Sequence, residues 1–329
     1  MIRSAGMPPR RIEERPGFAG TRRASGPGEC EGGVAPSAQE LGGPRLGPPW
    51  HQSLGDVTIT SIVEIDRSSF PTPAMLPEST AEGVARHFSW LKPHFFDERT
   101  GDIGSRIQTF VVRTPEHLVL IDTCVGNDKP RDEVPAWHLR RSGWLEDLRA
   151  AGVTPEQVDL VVCTHLHVDH VGWNTRLQNG RWTPTFPNAT YLFAGEEWDY
   201  WRHEKDACIA DSVVPVVEAG RARLVDGDHV IDGWLRFERA PGHTPGHVCV
   251  RLTTGAGEAV FSGDLMHRVV QVAEPQWSSR FCHDGRRAAE TRRQFIEAHA
   301  DTGTLILAAH FPRAGTIVRA DGGHRFIPT

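Results

Sequence analysis

The stretch THLHVDHVGW at residues 164–173 places four groups that can bind a metal within six consecutive positions. They are His165, His167, Asp169 and His170, and they follow the apolar segment VDLVVC at 158–163. Next to a buried strand, so many polar groups are hard to satisfy by hydrogen bonds alone. Imidazole nitrogens and carboxylate oxygens are ligands of zinc. The stretch therefore predicts a metal centre.

Three further segments present a metal-ligand type just beyond an apolar run. His243 lies in APGHTPGH, Asp264 follows AVFSG, and His310 follows TLILAA. Side chains that follow the ends of separate strands can converge on one point. We expect these three groups to join those of the 164–173 stretch.

The spacing and the number of these groups indicate two ions. Residues i and i+2 of an extended segment face the same way, so His165 and His167 can bind one ion together. The adjacent Asp169 and His170 suit a second centre once the chain turns, and we expect Gly172 to provide unusual backbone angles there. The whole set contains five imidazoles and two carboxylates. One tetrahedral zinc takes about four ligands, so the set is too large for one ion and suits two.

The segments that carry these residues predict an α/β fold. Helical spacing favours helices at 142–153, 195–203 and 284–300, the first of them capped by Ser142, and a Pro-rich loop runs to Pro77. Strands and helices alternate in each half, so we expect two mixed sheets packed together with helices outside. Strands are predicted at 57–65, 107–114, 117–123, 159–164, 189–194, 222–228, 234–240, 247–254, 258–264 and, as the final strand, 304–310.

Composition divides the chain into a tail and a body. Residues 1–54 are rich in Gly, Pro and Arg without a sustained apolar period, so we expect a disordered tail. Residues 55–329 are expected to form one domain.

Composition also narrows the class of protein. The chain of 329 residues has 39% hydrophobic and 24% charged residues, typical of a soluble globular protein. A net charge of -6 argues against nucleic acid as a partner. The six cysteines form no CxxC pair, and there is no apolar run long enough for a membrane span and no signal-peptide core. We therefore expect a cytoplasmic protein that acts on a small molecule, away from membranes, and a homodimer is compatible with this composition.

The motif HxHxDH, followed by separate His, Asp and His segments in that order, resembles the metallo-β-lactamase superfamily over about residues 57–329. The resemblance implies a four-layer αββα sandwich of two mixed sheets flanked by helices. It also implies that His165, His167 and His243 bind a first metal. The remaining ligands would be Asp169, His170 and His310 for a second metal, with Asp264 bridging the two.

Differences from the usual motif indicate which branch of the superfamily the chain resembles. Class B β-lactamases usually have Cys or Ser where this chain has Asp264, and acyl-homoserine lactonases often carry a Tyr shortly after that Asp, whereas Tyr191 and Tyr200 both precede it. The segments SGDLMHRVVQVAEP and LILAAHFP are most similar to the methyl parathion hydrolase branch, which contains phosphotriesterases, lactonases and arylesterases.

The resemblance implies a binuclear hydrolase with two Zn²⁺ per chain. It would cleave a lactone, carboxylic ester or phosphotriester by attack of a metal-bridging hydroxide, with Asp169 and Asp264 as catalytic carboxylates and Asp169 as the proton acceptor. Three alternatives stay open: a mononuclear iron persulfide dioxygenase, a glyoxalase II-like thioesterase, and a metal-stabilised binding protein without turnover.

Several residues beside the predicted ligands have two interpretations. Asp122 either orients a ligating His or bonds to turn amides at a strand end. His247 either packs beneath the site or replaces a ligand, and His267 is a candidate for the pocket wall. The sequence does not assign roles to either histidine.

The sequence also predicts where several aromatic and basic residues near the motifs lie. Trp173 and Phe311 directly follow predicted ligands and are candidates for pocket walls. Trp198 and Trp201 share one helix face, which favours core packing. A basic stripe is expected to be a solvated helix face and comprises Arg286, Arg287, Arg292 and Arg293.

Overall fold

Apolar runs form the strands of two large sheets in this computed structural model, which describes residues 50–67, 70–320 and 322–329. In chain order the strands are β1 His51–Leu54, β2 Val57–Ile65, β3 Phe96–Asp97, β4 Asp102–Ile103, β5 Ile107–Arg113, β6 Leu118–Ile121, β7 Leu160–Val162, β8 Thr175–Gln178, β9 Arg181–Pro184, β10 Thr190–Ala194, β11 Ala222–Val225, β12 Leu235–Arg239, β13 Val248–Thr254, β14 Gly257–Gly263, β15 Leu305–Ala308, β16 Gly315–Ala320 and β17 Gly323–Pro328.

The first large sheet has seven strands in the order β1-β2-β5-β6-β7-β10-β11, and the second has six in the order β12-β13-β14-β15-β16-β17. The pairs β3-β4 and β8-β9 form two separate two-stranded sheets. Both large sheets are mixed. In the first, β6, β7, β10 and β11 run parallel. In the second, β14 and β15 are the parallel pair. Parallel neighbours bring their carboxyl ends to one edge of a sheet, which is where the predicted ligands follow.

Helices flank the two sheets. They are α1 Thr72–Met75, α2 Ala81–Ala85, α3 Phe88–Leu91, α4 Trp144–Ala150, α5 Gly195–Trp201, α6 Val214–Glu218 and α7 Gly285–His299. The carboxylate of Asp284 caps α7 by accepting from the backbone N–H of Arg287 at 2.9 Å. One turn of π-helix at Ile209–Val213 leads into α6.

Three apolar cores separate the four layers. The central core lies between the sheets, and across it the rings of Phe110 and Phe261 meet at 5.3 Å between centroids. The second core joins the outer face of the first sheet to α4, through Trp144 and Leu148. The third joins the second sheet to α7, through Ile296. This arrangement confirms the expected αββα sandwich.

Four local predictions were wrong. Helix α4 begins after Gly143 rather than Ser142, whose hydroxyl donates instead to Glu64 at 2.9 Å. Gly172 has no positive φ, and it is required because a Cβ there would lie 1.9 Å from the backbone of Val125. The Pro-rich loop contains α1, and the predicted final strand is followed by the hairpin β16–β17.

The expected tail at 1–54 lies outside the described residues except for its last five. Of these, residues 51–54 form β1 and pair with β2. Within the part of the chain that the structure describes, no helix is both long and apolar enough to cross a membrane.

Candidate metal centre

All seven predicted ligands meet at one edge of the two sheets. His165, His167, Asp169 and His170 lie in the loop after β7, and the others follow three strands of the second sheet: His243 follows β12, Asp264 follows β14, and His310 follows β15. The loop after β7 thus faces three strand ends of the second sheet. Five of the seven side chains are buried, and His167 and Asp169 are half-buried.

Three imidazoles form the first group. His167 Nδ1 lies 3.0 Å from His165 Nε2 and 2.8 Å from His243 Nε2, and the two Nε2 atoms are 3.2 Å apart. Burial lowers the pKa of each ring, that of His243 to about 4. The rings are therefore neutral at pH 7 and can offer lone pairs, as the ligands of one cation must.

Asp169, His170 and His310 form the second group. The Asp169 carboxylate lies 3.7 Å from His170 Nε2 and 3.6 Å from His310 Nε2. Asp264 lies between the two groups. Its Oδ2 is 3.7 Å from His165 Nε2 and 3.2 Å from His243 Nε2, whereas its Oδ1 is 3.1 Å from His170 Nε2 and 3.0 Å from His310 Nε2. One carboxylate thus turns a different oxygen toward each group.

The donor set fits a pair of cations. Although they lie 3.1 Å apart, the buried His170 Nε2 and Asp264 Oδ1 make no well-aligned hydrogen bond to each other or to another described residue, which is costly unless a further group satisfies them. The Nδ1–H of His310 donates to the carbonyl oxygen of Arg106 at 2.7 Å, so its Nε2 carries the lone pair that faces the site. Thr164 Oγ1 lies 3.1 Å from His165 Nδ1 and holds that ring in the same way.

Asp122 combines both of the roles considered for it. It has a positive φ of 56° directly after β6, and its carboxylate accepts from His170 Nδ1–H at 2.8 Å. It also accepts from the backbone N–H of Thr164 at 2.8 Å. Burial opposes the charged form of His170, but Asp264, Asp122 and Asp169 outweigh it and raise the pKa of this imidazole.

The two unassigned histidines have different positions. His247 is buried, and its Nε2 accepts from the backbone N–H of Asp264 at 3.0 Å. That lone pair is therefore in use, and His247 supports the site from beneath. His267 lies in the wall of a cavity above the site, with its Nε2 3.0 Å from Asp264 Oδ2. It belongs to a third cluster of close ligand atoms, with Asp264 and His310.

Glu197 is a site residue that the sequence reasoning missed. This buried carboxylate on α5 accepts from the backbone N–H of Leu166 at 3.1 Å, from Trp201 Nε1–H at 2.7 Å and from the backbone N–H of Gly246 at 3.0 Å. It joins the loop of His165 and His167 to the loop of His243. A Cβ at Gly246 would lie 2.2 Å from the Glu197 nitrogen, so only glycine fits this approach. One of two adjacent Glu residues in GEEW gave no sequence signal for this role.

A cavity of about 270 Å³ opens above the metal centre and is called the site cavity here. Of the ligand groups, His167, Asp169, His243, Asp264 and His310 reach its wall. Mostly apolar and aromatic side chains complete the wall, so the centre faces a space large enough for a small organic molecule.

Trp198 and Trp201 both pack against the core between the first sheet and α4. Trp201 also lies in the wall of the site cavity. The prediction that Trp173 and Phe311 wall the pocket was wrong. Trp173 is buried, stacks on Trp144 at 5.2 Å and donates to Glu64. Phe311 is buried in the core beneath the second sheet.

The predicted basic stripe on α7 is correct except for one residue. Arg286, Arg287 and Arg293 are exposed, but Arg292 is fully buried. Its guanidinium donates to the carbonyl oxygens of Leu265, Pro275 and Trp277 at 2.7–3.0 Å. It therefore fixes the segment that follows Asp264 rather than meeting solvent.

Comparison with known proteins agrees with this fold. The model of the metallo-beta-lactamase superfamily matches residues 103–310, and the chain belongs to this superfamily. Among curated proteins, it is 27% identical over 192 residues to the acyl-coenzyme A thioesterase MBLAC2 of Homo sapiens. That match covers 54% of this chain and 64% of the thioesterase, so the chain spans less than two thirds of that relative.

Two solved structures are also similar. The hydrolase AbOPH of the beta-lactamase superfamily is 28% identical, with a TM-score of 0.71, over 85% of this chain and 97% of that one. AidC, a dizinc quorum-quenching lactonase solved with a product, is 21% identical, with a TM-score of 0.69, over 87% of this chain and 99% of that one. The likeness to AidC is one of fold.

Proposed function

We propose that this protein is a binuclear zinc hydrolase that cleaves an ester-like bond in a small molecule. The observation that carries the proposal is the Asp264 carboxylate, whose two oxygens face two separate groups of ligand atoms. A carboxylate in this position can bridge two ions, and a pair of bridged ions is the arrangement used for hydrolytic displacements. His165, His167 and His243 would hold the first zinc, and the second would be held by Asp169, His170 and His310.

When bound, two zinc ions supply a water of lowered pKa and positive charge beside the substrate oxygen on which negative charge develops. The residues of the chain do the remaining work. Asp122 and the carbonyl of Arg106 hold His170 and His310 in the orientation that directs Nε2 at the site. Asp169, half-buried in the cavity wall, is the carboxylate that accepts the proton of the attacking water.

The site cavity supports an organic ester as the substrate. Its wall contains groups of the metal centre together with mostly apolar side chains, so a reactive carbonyl or phosphoryl group can lie at Asp264 with its substituent in the cavity. We assign the chain to the branch of methyl parathion hydrolase, and the 28% identity to the hydrolase AbOPH over nearly all of that chain supports a hydrolase of this kind. Lactones, aryl esters and phosphotriesters are the candidate substrates.

A thioester is the second candidate substrate. The human relative is named an acyl-coenzyme A thioesterase and is 27% identical over 192 residues. The same bridged pair of ions would act on a thioester carbonyl.

The five described cysteines are all free, which agrees with the reducing cytoplasm proposed for this protein.

The test is to remove metal with a chelator, reload the protein with zinc or iron, and assay both forms against a lactone, an aryl ester, a thioester and a phosphotriester. We expect about two zinc ions per chain by elemental analysis, and hydrolysis of at least one substrate by the zinc form alone. A single iron with no hydrolysis would favour the dioxygenase alternative. Bound zinc without turnover of any activated ester would favour a binding protein.

A further inference from the structure

Among the described residues, no Lys or Arg side chain lines the site cavity, whereas two carboxylates outside the metal centre contribute to its wall. These are Glu133 and Asp206, which are both solvent-exposed and therefore lie toward the mouth of the cavity. Asp206 is fixed there because its Oδ1 accepts from the backbone N–H of Cys208 at 2.7 Å. An entering molecule thus meets two negative charges before it reaches the metal centre.

Aromatic side chains also form part of the cavity wall. The ring of Phe70 contacts Trp137 at 6.0 Å and Phe281 at 5.2 Å between centroids, both edge to face. Phe281 is 42% exposed, which is unusual for a large apolar side chain. Trp201 adds a further ring, 5.3 Å from that of His167. This surface favours an apolar or aryl group and, within the described residues, presents no cationic side chain to an anion.

The described cationic side chains next to wall residues in the sequence are engaged elsewhere or lie outside the wall. Arg131, two residues before Glu133, forms a bidentate pair with Asp211 at 2.8 Å. Lys205 and Arg280 are exposed and do not line the cavity, although the Arg280 guanidinium lies 5.8 Å from the ring centroid of the wall residue Phe281. Two divalent ions with Asp169, Asp264 and the bridging hydroxide would leave a charge of about +1, which Glu133 and Asp206 outweigh. The mouth is therefore the negative end of the cavity.

We infer that this cavity selects uncharged ester substrates and rejects anionic ones, with Glu133 and Asp206 as the residues that set this preference. The inference rests on the proposed hydrolase function and deepens it. An anionic substituent would have to lose its hydration in an aromatic pocket while facing two like charges. The same reasoning disfavours a polyanionic leaving group such as coenzyme A, and it favours neutral aryl esters, lactones and phosphotriesters.

A pair of isosteric substrates tests the inference. 4-Acetoxybenzamide and 4-acetoxybenzoate share the acetyl group and the ring and differ by one charge, and the para position prevents the carboxylate from attacking its own ester. We expect the zinc-loaded protein to hydrolyse the amide with a kcat/KM at least about tenfold higher, after correction for the rates in alkaline solution. The ratio should fall as ionic strength rises, because exposed charges are screened.

Two double variants test whether Glu133 and Asp206 cause the preference for the uncharged ester. In Glu133→Gln/Asp206→Asn, the ratio of amide to benzoate should fall at least about threefold. The control Glu156→Gln/Glu218→Gln removes the same charge from exposed positions that do not line the cavity, and it should keep the wild-type ratio.

Each outcome has one meaning. Equal kcat/KM for the two esters would overturn the charge preference while leaving the hydrolase function intact. A preference that is unchanged in the mouth variant, or lost equally in the control, would overturn the assignment to Glu133 and Asp206. No turnover of phenyl acetate or of any substrate in the wider panel would instead contradict the proposed function itself.

Discussion

The Nε2 atom of His247 accepts a hydrogen bond of 3.0 Å from the backbone N–H of Asp264. This bond fixes the backbone of the residue that lies between the two groups of metal ligands. It also occupies the lone pair through which His247 could bind a metal, since the neutral ring has one acceptor nitrogen. Burial lowers the pKa of His247 to about 3, which keeps the ring neutral and in its accepting form.

His247→Leu should therefore lower stability without removing a ligand. The buried N–H of Asp264 would lose its acceptor, and we expect a decrease of about 1–3 kcal/mol in the free energy of unfolding. His247→Gln, whose amide oxygen can accept, should lose less. Urea denaturation measures the first effect, and elemental analysis should still find two zinc ions. A drop to one zinc in both variants would instead show that His247 is a ligand.

Asp264→Ala should damage the metal centre far more than His267→Ala. Asp264 contacts both ligand groups, whereas His267 lies in the cavity wall and approaches only Oδ2. We expect Asp264→Ala to lose metal and most activity. His267→Ala should keep its metal and change turnover or substrate preference modestly. Elemental analysis and ester kinetics on the two variants make the comparison, and equal metal retention would argue against a bridge at Asp264.

Asp264→Cys tests the bridge by chemistry rather than by deletion. A thiolate is a good zinc ligand, but as a terminal ligand it would not readily span two ions as a carboxylate does. The variant should hold the second zinc more weakly, and ester turnover should fall. We do not expect β-lactam hydrolysis to appear, because the walls of the cavity also decide the substrate. Two tightly held zinc ions with wild-type turnover would move the shared ligand to Asp169.

Glu197→Leu should weaken the first zinc site although Glu197 does not touch it. The variant removes the acceptor that joins Leu166 to Gly246, so the loops of His165 and His243 lose their common support. Loss of such supporting groups typically lowers metal affinity 10- to 100-fold, and we expect about that effect in competition with a zinc chelator. Glu197→Gln keeps one accepting oxygen and should be intermediate. Wild-type zinc affinity in both variants would limit Glu197 to a role in stability.

Lys129 gives a prediction for alkaline pH. Burial lowers its pKa to about 8, even though its Nζ lies 3.3 Å from Asp211 Oδ1. The folded state therefore releases this proton before the unfolded state does. Between pH 8 and about 10.5 the unfolded state binds more protons, so the contribution of this group to stability rises with pH.

The free energy of unfolding of the wild type should accordingly rise by up to about 3 kcal/mol relative to that of Lys129→Met as the pH rises through this range. Below pH 8 both states carry the charge, and the difference between the two proteins should stay constant. Chemical denaturation of both at several pH values measures this, and the buried thiols cancel because both proteins contain them. A difference that does not change between pH 8 and 10.5 would contradict the shifted pKa.

Much of the site could be predicted because its signals are local. An apolar run followed directly by His or Asp indicates a strand with a metal-ligand type at its end. Four such segments in order predicted that these residues share one metal centre. The αββα arrangement follows from the same runs, since elements with one apolar face must bury it against another. The strand at Val57–Ile65 and the capped helix at Gly285–His299 carry strong patterns of their own, and both formed as expected.

Tertiary structure decided which neighbours each side chain meets. Trp173 and Phe311 follow ligands in sequence, yet packing directs both into the cores, and Arg292 is buried by carbonyl groups from a distant loop. Glu197 and His247 act through backbone N–H groups of segments far away in the chain, which no local pattern reports. Residue types and strand ends are properties of short segments, whereas burial and side-chain direction depend on contacts between segments. The sequence by itself therefore determined the metal-ligand types and the layers, and only the folded chain decided how Asp264 faces both ligand groups and which walls surround them.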